Sequence, residues 1–113
     1  MNAMIEGYNS EYSEVAPTLD DIHALNGWVL VEFGAPWCGH CQTAQTVLKE
    51  AMEYRPTLAH IKVFDGKGKR LGRQFGVKLW PTLVLLHSGE EVDRIVRFSS
   101  INDVQALLSN LRE

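Results

Sequence analysis

Several things are scarce in this 113-residue chain, and each shortage narrows what it can be. It has two cysteines, Cys38 and Cys41, three positions apart. A pair that close cannot staple a small secreted scaffold, and a chain of this length buries enough surface not to need one. No apolar run approaches the roughly 18 residues of a membrane span. No Lys or Arg occurs in the first fifteen residues, which carry Glu6, Glu11 and Glu14 instead. That is the wrong composition for a signal or transit peptide. An excess of positive charge is missing too: the net charge is -3, so neither a nucleic-acid nor a membrane surface is indicated. What is present is ordinary, with 45% hydrophobic and 22% charged residues, close to a globular average, and no repeat, low-complexity tract or linker. A single soluble domain in a reducing compartment is expected, and the two cysteines must be explained by chemistry.

Residues 1–16 are polar, weakly patterned and bounded by Pro17. They read as an N-terminal extension, with a short edge strand near Tyr12–Val15. Thr18-Leu-Asp-Asp21 reads as a helix cap followed three residues on by an acid, opening a helix that ends at Asn26-Gly27. Trp28–Phe33 is a nearly continuous apolar run, the pattern of a strand buried on both faces, with one charged residue, Glu32, inside it. From Cys38 to Tyr54 the residues Ala44, Val47, Leu48, Ala51 and Met52 recur at helical spacing until Pro56 stops the segment. Ile61–Phe64 is a second apolar run, Asp65-Gly-Lys-Gly a turn, Leu71–Phe75 a short helix closed by Gly76, and Pro81–Leu86 a third run. His87-Ser-Gly-Glu90 turns the chain into Val92–Phe98, which alternates as a one-sided strand should. Ser100 opens a final helix with Ile101, Val104, Leu107, Leu108 and Leu111 on one face. Helices alternating with buried strands predict an α/β fold, a central mixed sheet flanked by helices.

The informative segment is Ala35-Pro-Trp-Cys-Gly-His-Cys41, at the junction of a buried strand and a helix. Cysteines at i and i+3 on a first helical turn share a face and can close a small disulfide ring. Unpaired N–H groups and a partial positive charge at the helix start favour a thiolate at the first of them. Cys38 is therefore the natural nucleophile. Cys41, one turn in, is expected to be buried and to resolve the mixed disulfide. Structural zinc needs four ligands; there is no second cysteine pair, and His23, His40, His60 and His87 lack paired spacing. No metal and no bound organic cofactor are expected. Glu32 precedes Cys38 by six residues. As a buried carboxyl it is expected to have a raised pKa and to accept the proton of Cys41 near neutral pH; the alternative is a solvent-exposed Glu at a strand end. A His40 cation would stabilise the Cys38 thiolate further and make the protein a stronger oxidant.

Val29-Leu-Val-Glu-Phe-Gly-Ala-Pro-Trp-Cys-Gly-His-Cys41 resembles the active-site strand and helix start of the thioredoxin superfamily. Trp80-Pro81-Thr82 resembles its second signature, a proline that is cis in that family and faces the cysteine pair. The resemblance runs from roughly Pro17 to Arg112. It implies an extension at 1–16, a thioredoxin-like domain at 17–113, and a redox disulfide between Cys38 and Cys41. It also implies a substrate-binding role for Trp37, Gly39, Trp80 and Pro81. Gly39-His40 is the dipeptide typical of protein disulfide isomerase domains, and Glu32 in place of the usual Asp agrees with it. Lys62 matches a family Lys that approaches the buried acid; an exposed Lys62 is the other reading. Trp80 is larger than its usual counterpart, which implies a narrower substrate choice. Three further departures count against recognition by an ordinary thioredoxin reductase: Gly34 replaces a bulky aromatic and leaves space beneath the site, Gln42 replaces a Lys, and Phe98-Ser99 stands where a glycine is common.

The expected function is thiol–disulfide oxidoreduction: a cytoplasmic monomer reducing protein disulfides, with an electron donor such as a thioredoxin reductase and neither nucleic acid nor membrane as partner. The Cys-Gly-His-Cys motif pulls toward oxidase or isomerase work. It places the reduction potential between about −270 mV and about −180 mV, nearer the second. A rival from another class is a thioredoxin-like binding or chaperone module with incidental redox activity. The basic cluster Lys67, Lys69, Arg70 and Arg73 reads as a solvated face.

Overall fold

Strand parity sorts the apolar residues of this chain onto two faces of one sheet. The computed structural model describes residues 4–66 and 69–111. In chain order the elements are β1 (Met4–Glu6), α1 (Leu19–His23), β2 (Trp28–Gly34), α2 (Gly39–Met52), β3 (Ala59–Phe64), α3 (Arg70–Gln74), β4 (Thr82–His87), β5 (Glu90–Val96) and α4 (Ile101–Leu108). The strands form one sheet in the order β1-β3-β2-β4-β5. β2 and β3 run parallel; the other neighbouring pairs are antiparallel. On one face Leu30, Leu83 and Leu85 pack against Ala44, Leu48, Ala51 and Met52 of α2 and Val104, Leu107 and Leu108 of α4. On the other, Val29, Val31, Phe33, Ile61, Val63, Val84 and Leu86 pack against Ile22 of α1 and Leu71 of α3. Each fully buried aliphatic side chain contributes about 1.5–3 kcal/mol. The helix-flanked mixed sheet is the architecture that the alternating pattern predicts.

Local signals hold at the element ends. Thr18 Oγ1 accepts from the Asp21 N–H at 3.1 Å while Asp21 accepts from the Thr18 N–H at 3.0 Å, a complete capping box. Ser100 accepts from the Asp103 N–H and opens α4. Ser88 and Gly89 both have positive φ, as a two-residue hairpin loop of the mirror-image turn type requires. A side chain at 89 would also strike the His23 carbonyl, with its Cβ 2.5 Å from the oxygen.

Two sequence expectations fail. The edge strand is Met4–Glu6, not Tyr12–Val15; Ser13 makes only an isolated bridge, donating to the Lys62 carbonyl and accepting from the Phe64 N–H. The polar 12–15 segment has no apolar face to bury, whereas Met4 packs into the α1/α3 side of the core. The last strand covers Glu90–Val96 rather than Val92–Phe98, and its burial is not one-sided. Val92 and Val96 are exposed and Ile95 is half-buried against the α2/α4 cluster. β5 is an edge strand, and Phe98 leaves it to enter that cluster. Of the basic cluster, Lys69, Arg70 and Arg73 are exposed, in keeping with a solvated face, and Lys67 lies outside the described residues.

Candidate active site

The same parity that puts Leu30 in the core puts Glu32 and Gly34 on the α2 face. In β3 it brings His60 opposite Leu30 and Lys62 opposite Glu32. One sheet face is therefore apolar at its far end and polar just beneath the start of α2.

Cys38 is the N-cap of the 14-residue α2, in extended conformation (φ −76°, ψ 118°). Its Sγ accepts a hydrogen bond from the Cys41 N–H at 3.2 Å, and its own N–H donates to the Ala35 carbonyl at 3.1 Å. A sulfur taking the capping position of a helix start gains most when it is negative, because it meets an unpaired N–H and the positive end of the helix dipole. Cys38 is half-buried; Cys41 is fully buried, and both are free thiols. Burial, with the neighbouring Cys38 sulfur, pushes the Cys41 thiol up to about 12. The two sulfurs thus divide as the sequence predicts, one accessible and one enclosed.

Beneath Cys41 lies a buried polar floor. Glu32 Oε1 meets His60 Nε2 at 3.0 Å and Lys62 Nζ at 3.5 Å; Glu32 Oε2 accepts from Gln45 Nε2 at 2.7 Å. The Asn9 N–H donates to His60 Nδ1 at 2.8 Å, so the ring proton sits on Nε2 and points at Glu32. Gln45 also donates to the Cys41 carbonyl and accepts from Lys62 and from the Tyr8 hydroxyl. Glu32 and Lys62 are both buried, so the solvent-exposed readings of each are wrong. The expected pKa of Glu32 is also corrected. Burial acts to raise it, but the His60 hydrogen bond, the Lys62 charge and the Gln45 amide together hold it below the usual carboxylate value. Glu32 is therefore ionised at neutral pH.

The outer rim is aromatic. Trp37 is 62% exposed; its ring stands edge-on to Phe64 at 5.2 Å and to Trp80 at 6.5 Å. Trp80 Nε1 donates to Asp65 Oδ2 at 2.9 Å, and the Trp80–Pro81 bond is cis, as the resemblance implies. The Trp80 carbonyl accepts from Arg97 Nε at 3.1 Å. Arg97, not Phe98 or Ser99, carries the left-handed backbone of this turn, with φ 52°. Gly39 and His40 face solvent on the first turn of α2, and a Cβ at Gly39 would meet nothing within 4 Å. Gln42 donates to the Pro36 carbonyl at 2.8 Å and ties the loop before Cys38 to the helix.

Tyr8, Asn9, Tyr12, Gln45, His60 and Asp65 were missed. The space expected at Gly34 is filled: a Cβ there would lie 2.8 Å from Cys41 Sγ and 3.0 Å from the Tyr12 hydroxyl. For His60 the signal was available, since it shares the strand parity of Lys62. Tyr8, Asn9 and Tyr12 sit in a segment without periodicity and carried none. Asp65 is buried beneath Trp80, and its Oδ1 has no hydrogen-bond partner among the described residues; burial raises its pKa.

Comparison with known proteins agrees with this geometry. The chain is similar to the solved structure of reduced thioredoxin 2 from Pseudomonas aeruginosa, at 50% identity and a TM-score of 0.81, over 90% of this chain and 95% of that one. It is 36% identical to thioredoxin 1 of a Nostoc species over 69 residues, 60% of this chain, and spans 64% of that relative's length. It is also similar to a bifunctional thioredoxin reductase/thioredoxin of Mycobacterium leprae, 34% identical over 96 residues, 80% of this chain and 21% of that protein. The thioredoxin family profile matches residues 13–112. With its two close cysteines and its helix-flanked mixed sheet, the chain belongs to the thioredoxin family.

Proposed function

We propose that this chain is a cytoplasmic, monomeric oxidoreductase that reduces protein disulfides and is recharged by a thioredoxin reductase. The observation that carries the reading is the asymmetry of the sulfurs: an accessible Cys38 in the capping position of α2, and a buried Cys41 one turn behind it whose N–H touches Cys38 Sγ. The Cys38 thiolate attacks a substrate disulfide. A Cys38–substrate S–S bond forms, the substrate S–S bond breaks, and the released thiolate takes up a proton. Cys41 then gives up its proton, transiently to Glu32, and attacks Cys38 Sγ. The Cys38–Cys41 disulfide forms and the second substrate sulfur leaves as a thiolate. The substrate gains two electrons and the cysteine pair loses two, which the reductase returns. The occurrence of a reductase fused to a thioredoxin among the relatives supports that donor. The rim of Trp37, Gly39, Trp80 and Pro81 receives the extended substrate. Exposed His40 draws the potential above the about −270 mV of ordinary thioredoxin, and a lower measured potential would overturn its role. Among the described residues no helix is long and apolar enough to cross a membrane.

The test is mixed-disulfide trapping. Cys41→Ser should hold protein substrates covalently on Cys38 and Cys38→Ser should hold none, while the parent reduces insulin with dithiothreitol. A parent that does not turn over, with a partner retained by Cys38→Ser, would establish a binding module instead.

A further inference from the structure

The mechanism leaves a gap at the resolving sulfur. Cys41 must become a thiolate in a buried site where burial pushes its thiol up to about 12. Glu32 can hold that proton only transiently, because its pKa is kept low and both its oxygens are already engaged by His60, Lys62 and Gln45. A second group at the sulfur is needed, and the N-terminal segment supplies one.

Resting on the reductase reading above, we propose that Tyr12 is a catalytic residue of the resolving step: its hydroxyl donates a hydrogen bond to Cys41 Sγ and stabilises the thiolate as it attacks Cys38. The hydroxyl and the sulfur converge on the bare α-carbon of Gly34, where a Cβ would lie 3.0 Å from one and 2.8 Å from the other. Both groups thus flank the same few ångströms of space beside Gly34. Gly34 is thus the opening through which a residue distant in sequence reaches the thiol, and a side chain there would push the pair apart. Tyr12 is held from both sides. The next residue, Ser13, bonds to β3 through its N–H and its carbonyl, and Lys62 Nζ lies 4.6 Å from the Tyr12 ring centroid. The groups charging this pocket are Cys38, Glu32 and Lys62, with Glu11 acting on Lys62 and His60 and Tyr8 behind them. Burial, helped by the Glu32 charge, raises the phenol's pKa, so it stays a donor. A surface cleft lined by Glu11, Tyr12, Gln42, Gln45 and Lys62 opens beside it, so Tyr12 lies between the buried thiol and solvent.

Tyr12→Phe keeps the ring and removes the hydroxyl. Rapid-quench kinetics on a protein disulfide, across a range of pH, separate Cys38 attack from resolution. Attack should match the parent. Resolution should slow about tenfold, the loss of one hydrogen bond to a charged atom. Its pH profile should move about one unit upward, the same tenfold read as protonation. Difluorotyrosine at position 12, a stronger donor of the same shape, should speed resolution at near-neutral pH. Unchanged resolution in either variant overturns the role of Tyr12 while parent turnover leaves the reductase reading standing. A parent that does not reduce the disulfide overturns both.

Discussion

Two sulfurs three residues apart sit in opposite surroundings. Around Cys38 the protein is open: a helix start, the exposed ring of Trp37, and Gly39 and His40 facing water. Around Cys41 it is closed, with Tyr12 above Gly34 and the Glu32–His60–Lys62–Gln45 network beneath. The open side needs only local structure, because a helix N-terminus brings its own N–H groups and dipole. The closed side is built from β2, β3, α2 and the segment before α1. A buried thiol can be made to ionise only by groups the fold carries to it. If Cys38 attacks and Cys41 resolves, as proposed, the two steps should be separable by mutation.

The sharpest way to test that separation is Glu32→Gln. Resolution should slow by about a hundredfold with attack on substrate unchanged, read by the same kinetics. If both steps slow together, the division between the sides is wrong. The variant also tests the charge state. Glu32 has a folded pKa below its unfolded value of about 4.3, so its ionised form adds stability above that pH, and the gain is lost as pH falls through the folded pKa. Asp65 on the open side has a raised pKa. Its contribution is present below the unfolded value of about 3.9 and lost as pH rises through the folded one. Denaturant midpoints of the parent against Glu32→Gln and against Asp65→Asn should therefore diverge in opposite directions across the acid range.

A smaller effect is expected on the rim. Trp37→Ala should raise KM for a protein disulfide by about three- to tenfold, the loss of an exposed aromatic contact, with a small aliphatic disulfide reduced as before. An equal loss on both substrates would make Trp37 part of the chemistry rather than of recognition. The smallest effect belongs to Gly39→Ala. Its side chain meets nothing within 4 Å, so stability should stay within about 0.5 kcal/mol of the parent by thermal melting, and a larger loss would show that the open side is packed after all.

Much of this was readable from local pattern. The helix caps at Thr18 and Ser100, the turn at Ser88-Gly89 and the junction that places Cys38 depend on neighbours a few residues away, so residue type alone identifies them. The buried strand around Glu32 was equally plain. The sign of its pKa shift was not, because desolvation follows from burial but the opposing partners stand at Gln45, His60 and Lys62. Strand parity could have warned of His60. Nothing in the unpatterned stretch of Tyr8, Asn9 and Tyr12 could have.

The sequence by itself determined the α/β alternation, the close cysteine pair and which of the two caps a helix, since these follow from periodicity and from one strand–helix junction. Only the tertiary structure decided that Glu32 is an ionised carboxylate and that the gap at Gly34 is closed by Tyr12. It also placed the edge strand at Met4–Glu6. Burial, pairing and charge compensation are set by which distant side chains the sheet register brings within a few ångströms, and register belongs to the assembled sheet.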